Sequence, residues 1–260
     1  MCVESTGIGA PEPSRVVLHP DGWAEVFAGS TPQGQGHETF LAQVAADRLD
    51  WPIERIEVRV GDSRNVPFST VTAGSRSALE VGNSVARSAA SARRQLLDLA
   101  AETLAAEDIV VGPEGAFVRG APERALPLAD VVGEGVTAFE TWDSAGASAW
   151  TSSCHVAVVR IDLETGGVEM LRYVGAHDSG RAINPTLMEG QLHAGTLTGS
   201  ATPSSRRRPT RTTGASSRLP SSTTPRPAPR TVRPNRTWST RSRPVVKTRR
   251  GFAESARRGR

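Results

Sequence analysis

Cysteine is scarce in this 260-residue chain. Cys2 and Cys154 stand far apart, and neither belongs to a Cys-x-x-Cys pair or to a Cys/His spacing that holds zinc. A disulfide framework and a structural zinc site are excluded on that ground, and the expected compartment is the reducing cytoplasm. No run of 18 apolar residues occurs, so no transmembrane helix is expected. Met1-Cys2-Val3-Glu4 has neither a basic n-region nor an apolar h-region, so no secretory leader is expected. The surroundings of Ser75 lack the Gly-x-Ser-x-Gly elbow of a nucleophilic serine. His37, His155 and His177 are scattered, and each reads as a hydrogen-bonding residue rather than a metal ligand. Acidic side chains nearly vanish beyond residue 200. Residues 201–260 hold 17 of the 31 basic residues but one of the 27 acidic ones, Glu254, so the body carries about −12 and the last 60 residues about +16. The basic balance of the whole chain therefore gives no reason for the body to bind nucleic acid or an anionic membrane.

What remains in residues 1–200 is a mixture of strand and helix patterns. Val16–His19 and Trp23–Phe27 read as strands around a Pro20-Asp21-Gly22 turn. A Gly-rich stretch follows, Ser30-Thr31-Pro32-Gln33-Gly34-Gln35-Gly36. It opens a helix whose Phe40, Leu41, Val44, Ala45 and Leu49 share one face. Ile56–Val60 alternates as a strand, and Val85–Leu104 reads as a helix. The second half repeats the plan. Strands at 155–161 and 168–174 flank a turn at Glu164–Gly167. A polar loop, Ala176–Pro185, then leads into a helix through Met188, Leu192 and Leu197, with Pro185 suited to its first turn. Cys154 is expected as a small core residue. Strands mixed with helices, without β–α–β regularity, argue an α+β fold.

A glycine-rich loop at a helix start suits an anion, because unpaired N–H groups and the positive dipole end both face it. Two such loops could hold the two ends of a dinucleotide-like cofactor. Gln33 and Gln35 add amides that both donate and accept, fit for a polar ring or a metal-oxo group. Gly34-Gln35-Gly36-His37-Glu38-Thr39 lacks the third glycine of a Gly-x-Gly-x-x-Gly fingerprint, so ordinary turn glycines remain the competing reading. Asp178 is expected to fix its loop by accepting backbone N–H groups.

Five motifs occur in order: Gly34–Thr39, Val60-Gly61-Asp62-Ser63, Gly74-Ser75-Arg76-Ser77, Ala176–Pro185, and Glu189-Gly190-Gln191. Together they resemble the molybdopterin-binding large subunit of the xanthine dehydrogenase, aldehyde oxidase and aerobic carbon monoxide dehydrogenase family. The resemblance covers residues from about 5 to 199. It implies partial molybdopterin-binding domains, with a first lobe and the start of a second over 1–140 and a truncated second lobe over 141–200. It implies that Gln35 bonds the apical oxo group of molybdenum, and that Gln33, Gly34 and Gly36 lie along the cofactor. It also implies that Thr72, Gly74, Ser75, Arg76 and Ser77 meet the dinucleotide end, and that Asp178, Asn184 and Gln191 surround the pterin and its nucleotide. The implied cofactor is molybdopterin cytosine dinucleotide. The implied partners are a 2Fe–2S subunit and an FAD subunit. Such enzymes hydroxylate aldehydes, purines or related carbons, or oxidise carbon monoxide, with oxygen from water.

The resemblance has gaps. The upstream part with the substrate-selecting loop is missing, and so is the C-terminal glycine-rich motif whose glutamate serves as general base. The chain is therefore expected to be a fragment, inactive alone. Residues 201–260, with 19 Ser/Thr, 8 Pro and few large apolar residues, are expected to be disordered. One reading of them is a shifted frame. Gly199–Arg208 back-translated as GGA TCG GCA ACG CCC TCT TCG AGG AGG CGC, read from the third base, spells Ile-Gly-Asn-Ala-Leu-Phe-Glu-Glu-Ala. Gly251–Arg260, treated in the same way, yields Val-Arg-Gly-Val-Gly-Glu-Ala-Gly-Ala. Both resemble the family's continuation, and the gene's codons decide the matter. The other reading is a non-catalytic binding protein with a basic tail that contacts nucleic acid through phosphates, with affinity that falls steeply with salt.

Overall fold

The computed structural model describes residues 1–205 apart from Ile8 and residues 146–148. Of residues 201–260, where a disordered basic tail, a shifted frame and a nucleic-acid contact were expected, 201–205 are helical rather than disordered and 206–260 lie outside the described residues. The chain divides into two compact units. One comprises Cys2–Ser152 with Asp178–Ser200, and the other is built on Ser153–His177.

The larger unit is organised by a four-stranded sheet. β2 (Glu12–Leu18) and β3 (Ala24–Ala28) form the expected hairpin, with Val16 opposite Val26. β4 (Ile56–Val60) joins β3, and β8 (Val136–Trp142) joins β2, for the order β4-β3-β2-β8. β3 and β4 pair in parallel, Ala24 opposite Ile56 and Ala28 opposite Val60. The connecting α1 (His37–Leu49) is therefore a crossover helix, one β–α–β unit within the mixed α+β fold. The preceding hairpin hid it, because parallel pairing leaves no local mark in the sequence.

α1 buries Phe40, Leu41, Ala45 and Leu49, which are spaced to share one face. It packs on β4 and on α2 (Gly82–Leu104), and α2 in turn crosses β2 and β8. The buried face of α2 carries Ser84, Ser88, Ala89 and Ala92, small enough to bring its backbone close to the sheet. Three hydroxyls lie in that seam. Ser84 donates to Ser14 (2.9 Å), Ser88 donates to the Ser14 carbonyl (2.9 Å), and the Glu140 amide donates to Ser88 (3.2 Å). Each of these three buried hydroxyls thus has a partner, which burial requires.

A three-stranded antiparallel sheet, β5 (Ile109–Gly112), β6 (Gly115–Val118) and β7 (Ala121–Pro127), follows α2 and leads into the short α3 (Leu128–Val132). β1 (Cys2–Thr6) lies along the start of β9 (Ala149–Ile161), where the Thr6 hydroxyl donates to the Ala149 carbonyl. α4 (Pro185–Ser205) begins at Pro185, as expected.

In the smaller unit the rest of β9 pairs with β10 (Val168–Asp178) around the expected turn at Glu164–Gly167, which Asp162 closes by bonding Gly166 and Gly167. Val156, Val158 and Ile161 are about half exposed, and so are Met170, Leu171 and Val174. Apolar residues on both faces mark strands built to be covered on both sides. Cys154 is exposed in this hairpin. That corrects its expected place in the core: among the described residues its own unit leaves it uncovered. On this hairpin the His155 and His177 rings stand 4.5 Å apart, and Tyr173 Oη is 2.5 Å from His155 Nδ1. Burial and the neighbouring His155 both hold the His177 imidazole below its ordinary range.

Candidate cofactor-binding site

Three loops of the larger unit carry the residues singled out from sequence. The first runs from Ser30 to Gly36, between β3 and α1. Gly36 takes a left-handed conformation (φ +72°) as N-cap of α1 and offers no side chain to the helix start. The N–H groups of the first turn are therefore left for another acceptor. Gly34 (φ +106°) is exposed, with open space where a Cβ would stand. Gln33 and Gln35 flank it, and the Gln33 amide donates to Gln35 Oε1 (2.5 Å). His37 opens the helix fully buried, with Nδ1 3.3 Å from the Ser30 carbonyl and Nε2 without a partner.

The second loop, residues 66–77, lies against the first. The Thr72 hydroxyl donates to the Thr31 carbonyl (2.6 Å) and shares a bond with the Ser30 hydroxyl (2.6 Å). At Gly29 a Cβ would stand 2.2 Å from the Ser69 Cβ, so the approach of the two chains demands glycine there. Gly74 (φ +61°) and Ser75 (φ +53°) are consecutive left-handed residues on the exposed arc. Ser77 opens the π-helical turn that leads into α2. Arg76 turns inward. It is fully buried, with Nη1 2.8 Å from the equally buried Glu12 carboxylate.

Between these loops, Asp62 of the Val60–Ser63 motif caps its own turn. It accepts from the Arg64 amide and guanidinium and from Asn65. The Arg64 bonds lead in lowering its carboxyl to about 2.

The third loop joins β10 to α4. Asp178 accepts from the Gly180 amide (3.1 Å), the loop-fixing bond read from the sequence. Asn184 caps α4 by accepting from the Leu187 amide (2.9 Å), and its own amide donates to Gln43 on α1 (3.0 Å). Gln191, two turns further along α4, donates to the Gly34 carbonyl (3.1 Å). Leu187 lies on Gly36, where a Cβ would come within 2.9 Å of it.

The second and third loops thus both rest on the first, the second at Ser30 and Thr31 and the third, with α4, at Gly34 and Gly36. Ser30, Glu12 and Leu187 were not singled out from sequence. Serine in a loop and leucine in a helix carry no signal, and the buried Glu12 shows itself only through Arg76.

The profile of the molybdopterin cofactor-binding domain matches residues 1–202. The chain belongs to this family, that of the molybdopterin-binding large subunits of molybdenum hydroxylases. It is 34% identical over 220 residues to the nicotine 6-hydroxylase large subunit of Paenarthrobacter nicotinovorans, a match that covers 75% of this chain and 27% of that one. It is 30% identical over 214 residues to the carbon monoxide dehydrogenase large chain of Hydrogenophaga pseudoflava, covering 77% of this chain and 26% of the relative. Among solved structures, quinoline 2-oxidoreductase from Pseudomonas putida 86 superposes with a TM-score of 0.63 at 30% identity, over 74% of this chain and 28% of that one. The chain spans about a quarter of the length of these relatives.

The residues present fit the family's cofactor. The open space over Gly34 admits close approach to its backbone. The helix start supplies N–H donors for an anionic group, and the Gln33 and Gln35 amides supply neutral donors beside it. Among the described residues no group of three or more His, Cys, Asp or Glu side chains could ligate a metal directly. No described helix is long and apolar enough to cross a membrane.

Proposed function

We propose that this chain holds molybdopterin cytosine dinucleotide as part of a molybdenum hydroxylase, and that the three loops around Gly34 grip it. The observation that carries the reading is the Gln191–Gly34 bond, which brings the third loop onto the first. In this reading the Gln35 amide would donate to the metal end of the cofactor, and Gln33, Gly34 and Gly36 would line the pterin. Thr72, Gly74, Ser75 and Ser77 meet the dinucleotide end. Asp178, Asn184 and Gln191 close the far side. Arg76 acts by shaping its loop, since its guanidinium is turned to Glu12. When bound, the cofactor supplies the redox chemistry that moves oxygen from water onto a carbon or onto carbon monoxide. The protein's part is to orient it through fixed amide donors and to hold bare backbone against it.

In the same proposal a 2Fe–2S subunit and an FAD subunit carry the electrons away, and the assembly resides in the cytoplasm. The chain alone binds cofactor without turnover, because it spans about a quarter of the relatives' length. The test is to incubate the 260-residue chain with the dinucleotide, desalt it, and measure pterin, nucleotide and molybdenum retained. Near-stoichiometric retention that falls in Gln191→Ala is the expected result. Absence of retained pterin would refute the proposal, and hydroxylase turnover by the chain alone would refute the predicted inactivity.

A further inference from the structure

Glu12 stands at the first position of β2 with its side chain wholly buried. Its carboxylate gathers one segment of chain. Ser69 Oγ donates to Oε1, the Thr70 amide donates to Oε2 (3.2 Å), and Arg76 Nη1 donates to Oε2 (2.8 Å). Arg76 Nη2 reaches on to the Ala10 carbonyl (3.0 Å). One carboxylate therefore fastens both ends of the segment from Ser69 to Arg76. Between those ends the chain bows outward. Val71, Gly74 and Ser75 are exposed, Gly74 and Ser75 are both left-handed, and the Gly7 amide donates to the Gly74 carbonyl (3.0 Å). Thr72, in the middle, is tied to Ser30 and Thr31 at the root of the Gln35 loop.

We propose that Glu12 is a positioning residue for the nucleotide end of the cofactor, setting through Arg76, Ser69 and Thr70 the arch that meets it. The inference rests on the cofactor reading given above. A buried ion pair is a poor device for stability alone, because desolvation of both charges offsets their attraction and an apolar pair of similar size often does as well. An apolar pair cannot accept hydrogen bonds from Ser69 and Thr70. The feature peculiar to Glu12 is thus the fixed curvature of the arch. Such curvature matters where backbone must meet a ligand in one geometry.

The test compares the full chain with the double variant Glu12→Met/Arg76→Met and with Ser69→Ala. Thermal unfolding and amide exchange in α1 report the fold, exchange in residues 69–76 reports the arch, and retained molybdopterin cytosine dinucleotide reports binding. The double variant is expected to unfold near the wild-type temperature and to exchange its 69–76 amides at least about tenfold faster. Its retention should fall by at least about tenfold, the loss of a hydrogen bond to a charged group or more. Ser69→Ala keeps the ion pair and is expected to lose about fivefold, and it decides the matter if the double variant does not fold. Wild-type retention in a folded double variant, or in Ser69→Ala where the double variant fails, overturns the role of Glu12 while leaving the cofactor reading intact. A wild-type chain that retains no dinucleotide overturns the cofactor reading, and this inference with it.

Discussion

Gly36 concentrates the requirements of the site in one residue. Its left-handed backbone disfavours a side chain, and a Cβ there would push Leu187 aside. Gly36→Ala should destabilise the larger unit by about 1–2 kcal/mol from backbone conformation alone, with the displaced Leu187 adding to the cost. Urea unfolding measures it, and an unchanged midpoint would contradict the described helix start. Asp62 offers a second check. Its folded carboxyl lies at about 2, below the unfolded value of 3.8, so its contribution is present above the unfolded value and lost as pH falls through about 2. A side-chain NMR titration should place the midpoint near there in the wild type and higher in Arg64→Ala. At this scale the sequence was partly legible. Glycine at 34 and 36 and the turn-fixing Asp178 follow from residue chemistry. The inward turn of Arg76 does not, because a charged side chain beside Ser75 and Ser77 looks like a solvent-facing group until its partner, 64 positions away, is known.

Helices and strands were more legible than their pairing. Periodicity located α1 by Phe40, Leu41, Ala45 and Leu49, and alternation located β4. The parallel alignment of β3 with β4 was hidden, since it depends on how the chain returns after α1 and not on either strand's composition. The seam between α2 and β2 was hidden as well. Ser14, Ser84 and Ser88 look like surface residues until they bond one another. Ser88→Ala removes an acceptor from the Glu140 amide and a donor from the Ser14 carbonyl, and should cost about 1–3 kcal/mol in denaturant unfolding. In the hairpin, His177 binds its proton less readily folded than unfolded. Its contribution is present above the ordinary imidazole value of 6.5 and is lost as pH falls through the depressed folded value. The protection of β9 and β10 amides, corrected for the intrinsic pH dependence of exchange, should therefore fall as pH drops below the ordinary imidazole value of 6.5, and His177→Gln should flatten that response. Corrected protection independent of pH in the wild type would contradict it.

For the molecule as a whole, the five ordered motifs carried more information than composition or periodicity. None of them alone distinguishes a cofactor loop from a turn, whereas their sequence fits one family, and the domain match over 1–202 agrees. The central claim is that the loop around Gln35 and the loop from Asp178 to Gln191 grip one molecule. The most direct measurement is amide hydrogen exchange on the 260-residue chain titrated with molybdopterin cytosine dinucleotide. Peptides covering 33–39 and 178–191 should gain protection together, with one midpoint. Protection of one loop alone, or of neither, would contradict the account.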